Sequence, residues 1–190
     1  MEIQTPAHRA RTMQWLFLAT LALAAFISAH AAPATRDRVY IGTYTNHGSQ
    51  GIYVCDFDAA SGNLTSPELA AATADPSFLA VAPSRRYLYA INETDHFNGQ
   101  PTGGVSAFSI DSATGKLTLL NQVSSLAPGP AYITLDGSGH YALVANYDQG
   151  SVAVFPLWPD GKIGDFTAFV RHQGSSVDPE RQQGPHAHAI

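Results

Sequence analysis

Beyond residue 31, apolar residues fall in short runs separated by turn formers, and no long stretch keeps the spacing of a helix. Residues 76–92 (PSFLAVAPSRRYLYAIN) read as a short apolar strand, a turn at Ala82-Pro83-Ser84-Arg85, and a Tyr-led apolar strand ending on Asn92. The plan returns 54 positions later in residues 130–146 (PAYITLDGSGHYALVAN), with a turn at Asp136-Gly137-Ser138-Gly139. Two strands joined this tightly pair antiparallel. A second block, residues 51–64 (GIYVCDFDAASGNL), lies 53 positions before residues 104–117 (GVSAFSIDSATGKL); residues 151–163 (SVAVFPLWPDGKI) are a version one residue shorter. The repeated unit is strand, hairpin, strand, Asp-rich turn, strand.

Repeats of about 40–50 residues with four strands each mark a β-propeller blade. One such sheet cannot bury both faces, so neighbouring blades stack. A β-sandwich also has frequent turns, but nothing in it calls for matched side chains at this period. The expected fold class is therefore all-β, a propeller of four-stranded antiparallel blades. Strands are expected at residues 39–43, 52–57 and 64–69, then from 78, at 87–92, 105–110 and 117–123, then from 132, at 141–146, 151–157 and within 166–171. The first of these reads as the second strand of a blade. Residues 173–184 are too polar and too long for a routine connection. Residues 185–190 (PHAHAI) match 76–81 and 130–135 and read as the first strand of a fourth blade. About three and a fraction blades cannot close a ring, which needs about four to eight, so residues 39–190 are expected to be the front part of a longer propeller.

Hydrophobic residues make up 45% of the chain and charged residues 13%, which suits a packed core and excludes a disordered chain. The net charge is −5 and the only lysines are Lys116 and Lys162, so no basic stripe exists and no nucleic-acid partner is expected. Residues 1–31 differ from the rest. His8, Arg9 and Arg11 precede an apolar run at residues 16–27, and Ala29-His30-Ala31 suits a cleavage site. The segment reads as a signal peptide followed by a linker at 32–38. That implies a periplasmic or secreted protein with no stable membrane association after cleavage; an uncleaved anchor is the alternative, though the run is short for a bilayer span. Cys55 is the sole cysteine and aligns with Phe108 in a strand, so it reads as a small buried hydrophobe.

In each hairpin the start of the first strand and the end of the second lie at one end of the sheet. His186 thus shares a propeller face with Asn92, Glu93, Asn146 and Tyr147, where a small polar ligand would bind. His186 can take a proton from water near neutral pH; Glu93 is a second candidate base, or a solvated loop charge. His188, two residues on, points the same way in a strand. Arg181 can hold an anionic group, or pair with Asp178 or Glu180. A His-x-His pair can ligate zinc, but further ligands are not evident, and neither metal nor cofactor is expected.

The segments YIGTYT (40–45), GGVSAF (103–108), VANY (144–147) and above all GSSVDPERQQGPHAH (174–188) resemble the seven-bladed β-propeller lactonases of the 6-phosphogluconolactonase type, a group similar to the fungal carboxy-muconate cyclases. The resemblance spans about residues 39–190. It implies metal-independent hydrolysis of a sugar lactone by a channel-mouth cluster of His, Arg and Glu; only the His, here His186, falls within this chain. It also implies seven blades, of which this chain holds the N-terminal half and so an incomplete site. Under that reading Asn92 and Asn146 hold substrate hydroxyls, Tyr147 packs on the ring, Arg181 meets an anion, and His188 lies beside the substrate. The partner is a small-molecule lactone, unphosphorylated if the chain is exported, and the full-length protein is expected to be a monomer. Two alternatives stand: a non-catalytic exported propeller that binds a partner through an aromatic patch at Tyr44, Phe97 and Tyr147, and a muconate-type cyclase.

Overall fold

The inner strands of the sheets in this chain are buried on both faces, and the arrangement follows from that. The computed structural model describes residues 36–190; the expected signal peptide and residues 32–35 lie outside the described residues. Blade 1 contains β1 (Arg36–Ile41), β2 (Gly51–Asp58), β3 (Asn63–Leu64) and β4 (Glu68–Ala72), with β3 and β4 both paired to β2 as two pieces of one outer strand. Blade 2 is β5 (Leu79–Val81), β6 (Tyr87–Asn92), β7 (Gly104–Ile110) and β8 (Leu117–Ser124). Blade 3 is β9 (Pro130–Leu135), β10 (Tyr141–Asn146), β11 (Ser151–Pro156) and β12 (Ala168–Arg171). All pairings are antiparallel.

Three local differences from the sequence expectation have simple causes. β1 begins at Arg36, inside the expected linker, because Arg36–Arg38 continue the register opposite Asp58–Asp56. The Arg38 guanidinium also donates to the carbonyls of Asp111, Ser112 and Ala113 in the next blade. The outer strand of blade 1 breaks around Pro67, which has no N–H for the ladder; nearby, the Thr65 hydroxyl accepts from the Asp56 amide at 2.9 Å. Residues 185–190 form no strand, since they have no hairpin partner among the described residues and a strand exists only by pairing.

Alternation along β6 shows how the blades stack. Leu88 and Ala90 face blade 1, packing with Ile52, Val54 and Ala70; Tyr89 and Ile91 face blade 3, packing with Ile133, Ala142, Val144 and Phe155. Each fully buried Leu, Ile, Val or Phe among them contributes about 1.5–3 kcal/mol relative to exposure. Cys55 is buried and free, as its strand position implied.

A hydrogen bond repeats across both blade boundaries. Tyr40 donates its hydroxyl to the Gly115 carbonyl at 2.9 Å, and Tyr89, at the equivalent place, donates to the Gly161 carbonyl at 3.1 Å. The second phenol is 2% exposed, and burial, reinforced by Tyr87 and Asp160, pushes its pKa up to about 12. A raised phenol pKa stabilises the fold while the unfolded chain is also protonated. That contribution is complete below about pH 10 and is lost as pH rises through about 12. Urea unfolding of Tyr89→Phe should therefore show a weaker fall in stability across pH 10–12 than wild type. Identical slopes would show that Tyr89 does not carry the alkaline sensitivity.

Candidate active site

Three side chains follow the second strands of successive blades: Tyr44, Glu93 and Tyr147. The hairpins bring these positions to the starts of the first strands, as the pairing of Asn146 with Pro130 shows. Backbone bonds tie the blades together at this end. The Glu93 amide donates to Asp75 O (2.9 Å), Gly129 to Thr94 O (3.3 Å) and Tyr147 to Gly129 O (2.8 Å). Each later blade begins with a proline that seats on a glycine of the blade before it. A Cβ at Gly103 would lie 2.2 Å from Pro130 Cδ, and one at Gly150 would lie 2.1 Å from the Pro185 carbonyl oxygen. Pro185 is thus placed like Pro130 without a strand around it, and His186 follows directly.

His186 lies on Tyr147. The rings stack with centroids 4.5 Å apart, and Nδ1 is 3.1 Å from the Tyr147 carbonyl oxygen. A carbonyl can only accept, so Nδ1 carries a proton, and in the neutral ring it is Nε2 that has the lone pair. His188 meets the same phenol ring edge-on at 5.8 Å. Arg181 Nη2 is 3.5 Å from the Tyr147 hydroxyl, at the limit of a hydrogen bond. The loop carrying Arg181 braces itself. Asp178 Oδ1 accepts the amides of Glu180 (2.9 Å) and Arg181 (3.1 Å), and the Asp178 carbonyl accepts the Gln182 amide at 2.9 Å. The Arg181 guanidinium forms no ion pair among the described residues, so the alternative of pairing with Asp178 or Glu180 does not hold. Open grooves of ≈ 430 and ≈ 400 Å³ flank it, and both are lined by Arg181 and His186.

Glu93 forms a second centre at the same end. Its Oε2 accepts from the Tyr44 hydroxyl at 2.9 Å and from the Ser77 hydroxyl. Bonding to this carboxylate is the main reason the Tyr44 phenol pKa is raised, with a smaller contribution from desolvation. No contact joins Glu93 to His186.

The two asparagines are a correction to the sequence expectation. Asn92 is 3% exposed; its Nδ2 donates to Thr73 Oγ1 (2.9 Å) and Ala74 O (2.5 Å), and its Oδ1 accepts from Ser106 Oγ (2.5 Å). Asn146 is fully buried, with Nδ2 donating to Ser125 O at 3.0 Å and Ser151 Oγ at 3.3 Å. Side chains enclosed in this way brace the blade junctions and are withdrawn by burial from the surface where a substrate hydroxyl would lie. Asn146 Oδ1 has no partner, because the residue equivalent to Ser106 in blade 3 is Ala153.

The structure thus gathers Tyr147, Arg181, His186 and His188, leaves Glu93 with its own partners, and withdraws Asn92 and Asn146. Sequence reasoning missed Tyr44 and Ser77 as partners of Glu93, although Tyr44 holds the same repeat position as Glu93 and Tyr147. It also missed Arg171 and His172, which line the ≈ 400 Å³ groove from the end of β12. Among the described residues no group of three or more His, Cys, Asp or Glu gathers that could hold a metal ion.

A family model described as "Lactonase, 7-bladed beta-propeller" matches residues 38–190. Among curated relatives, a 6-phosphogluconolactonase of Bacillus subtilis is 38% identical over 78% of this chain and 41% of its own length. One of Formosa agariphila is 32% identical over 80% and 42%. Among solved structures, a putative 6-phosphogluconolactonase of Bacteroides fragilis superposes with a TM-score of 0.74 at 33% identity, covering 82% of this chain and 42% of that one. A Pseudomonas aeruginosa periplasmic gluconolactonase gives 0.73 at 37%, covering 81% and 43%. The chain spans about two-fifths of the length of these relatives.

The seat of Pro185 predicts the effect of a single methyl group. Gly150 (φ +61) and Gly48 (φ +95) both have left-handed backbone, but only Gly150 has a neighbour within contact of a Cβ. Gly48→Ala should cost about 1 kcal/mol in urea unfolding through backbone strain. Gly150→Ala should cost about 1–3 kcal/mol more through the collision. Equal losses would show that Pro185 is not held against Gly150.

Proposed function

The chain belongs to the seven-bladed β-propeller lactonase family, and from that premise we propose that the whole protein hydrolyses a sugar lactone with His186 as general base. The observation that carries the reading is the bond from His186 Nδ1 to the Tyr147 carbonyl, which leaves Nε2 to accept a proton. Water gives up that proton as its oxygen bonds to the lactone carbonyl carbon. The ring C–O bond then breaks, and the imidazolium returns the proton to the departing ring oxygen, giving a hydroxy acid. Arg181, free of any carboxylate among the described residues, holds an anionic substituent or steadies the developing oxyanion. Tyr147 keeps the imidazole in plane, and His188 closes the other side of the phenol.

The names of the similar proteins support a lactone substrate, and one of them is called periplasmic. With the positively charged, apolar segment at residues 1–31, this favours an exported enzyme acting on an unphosphorylated lactone. The non-catalytic alternative draws no support from the aromatic patch expected of it. Phe97 lies against Gly104 and Tyr147 is flanked by two imidazoles, so of the three only Tyr44 is an exposed aromatic. A muconate-type cyclase would use the same base in the opposite direction; product analysis with an unsaturated diacid separates it.

His186→Ala in the whole protein should lower kcat by about 10²–10⁴. In the present chain the same change should hardly move the urea midpoint, since the side chain is exposed here. Full activity in the variant would remove His186 from the mechanism.

A further inference from the structure

Glu93 sits at the site end of the blades, yet the mechanism above gives it no task. Its carboxylate is half-buried and its Oε2 is fixed by the Tyr44 and Ser77 hydroxyls, whereas Oε1 has no hydrogen-bond partner among the described residues. No Lys, Arg or His pairs with it among those residues. An ionised carboxylate can only accept hydrogen bonds. A carboxylate held by two donors on one oxygen and open on the other is built to receive a further donor.

We propose that Glu93 is a specificity residue whose free oxygen accepts a hydrogen bond from a ring hydroxyl of the substrate, while proton transfer is left to His186. The inference rests on the lactone-opening reading of the site and adds a substrate class to it. The ring must carry a hydroxyl on the Glu93 side, and an anionic substituent there is repelled, so any anion belongs on the Arg181 side. Three observations favour a hydroxyl over water activation as the role of Glu93. It makes no contact with the His186 imidazole, it occupies the repeat position held by the ring-packing Tyr147 in the next blade, and both its partners are neutral hydroxyls that orient it.

The test compares two lactones in the whole protein: glucono-1,5-lactone, which carries ring hydroxyls, and δ-valerolactone, which carries none. Glu93→Ala should raise KM for the hydroxylated lactone about 10–100-fold, the loss expected for a charge-assisted hydrogen bond, with kcat changed less than about threefold. The kcat/KM for δ-valerolactone should stay as in wild type. Glu93→Gln keeps the shape and one acceptor oxygen and should fall between, which also guards against a folding defect in the alanine variant. An equal fall in kcat on both lactones would make Glu93 a base and overturn the proposal, as would no change on either. If wild type opens neither lactone, the functional reading fails separately. Calorimetry with 1,5-anhydroglucitol, a hydroxylated ring without the ester, then decides: binding lost in Glu93→Ala supports the proposal, and binding absent or unaffected overturns it.

Discussion

An antiparallel sheet that is apolar on both faces cannot stand alone in water, and everything else in this protein follows from that constraint. In β6 the odd and even side chains are buried against different neighbours, Leu88 and Ala90 on one side and Tyr89 and Ile91 on the other. The hydrophobic driving force is not directional, so it cannot set how the blades align. Alignment comes from bonds that repeat at each junction: the phenols of Tyr40 and Tyr89 on glycine carbonyls of the following blade, and the carboxamides of Asn92 and Asn146 on the connecting segments.

Stacking at a fixed register has a chemical consequence. Every blade delivers the residue after its second strand, and the residue after the next blade's opening proline, to the same end. At the last junction described they are Tyr147 and His186, and the same packing that seats Pro185 on Gly150 lays the imidazole over the phenol and aims Nδ1 at a carbonyl. At the junction of blades 1 and 2, Glu93 is held between Tyr44 and Ser77. The site is therefore made of ordinary repeat positions occupied by unusual residues.

Much of this was legible in the sequence because the hydrophobic pattern recurs in register at the hairpins of blades 2 and 3. β6 and β10 fall at the residues expected, and the antiparallel hairpin logic placed His186 beside Tyr147. The asparagines were misread for a physical reason. A polar residue at a strand end looks like a ligand group from sequence, whereas here the strand end is enclosed by the neighbouring connection and the carboxamide is needed to satisfy it. The relation of Tyr44 and Ser77 to Glu93 was hidden because it spans two blades, and pairwise geometry of that kind does not show in a one-dimensional pattern. Residues 185–190 carry the sequence of a strand but lack a partner among the described residues, which shows that the pattern specifies a propensity and pairing supplies the structure.

The account turns on which nitrogen of His186 bears the proton. Long-range proton–nitrogen correlation on protein labelled with ¹⁵N-histidine, with the signal assigned through the His186→Ala variant, reads this directly at a pH where the ring is neutral. The carbonyl of Tyr147 requires a protonated Nδ1 and a bare Nε2. Finding the proton on Nε2, or an even exchange between the two nitrogens, would contradict the assignment of His186 as the base that blade stacking presents to the substrate.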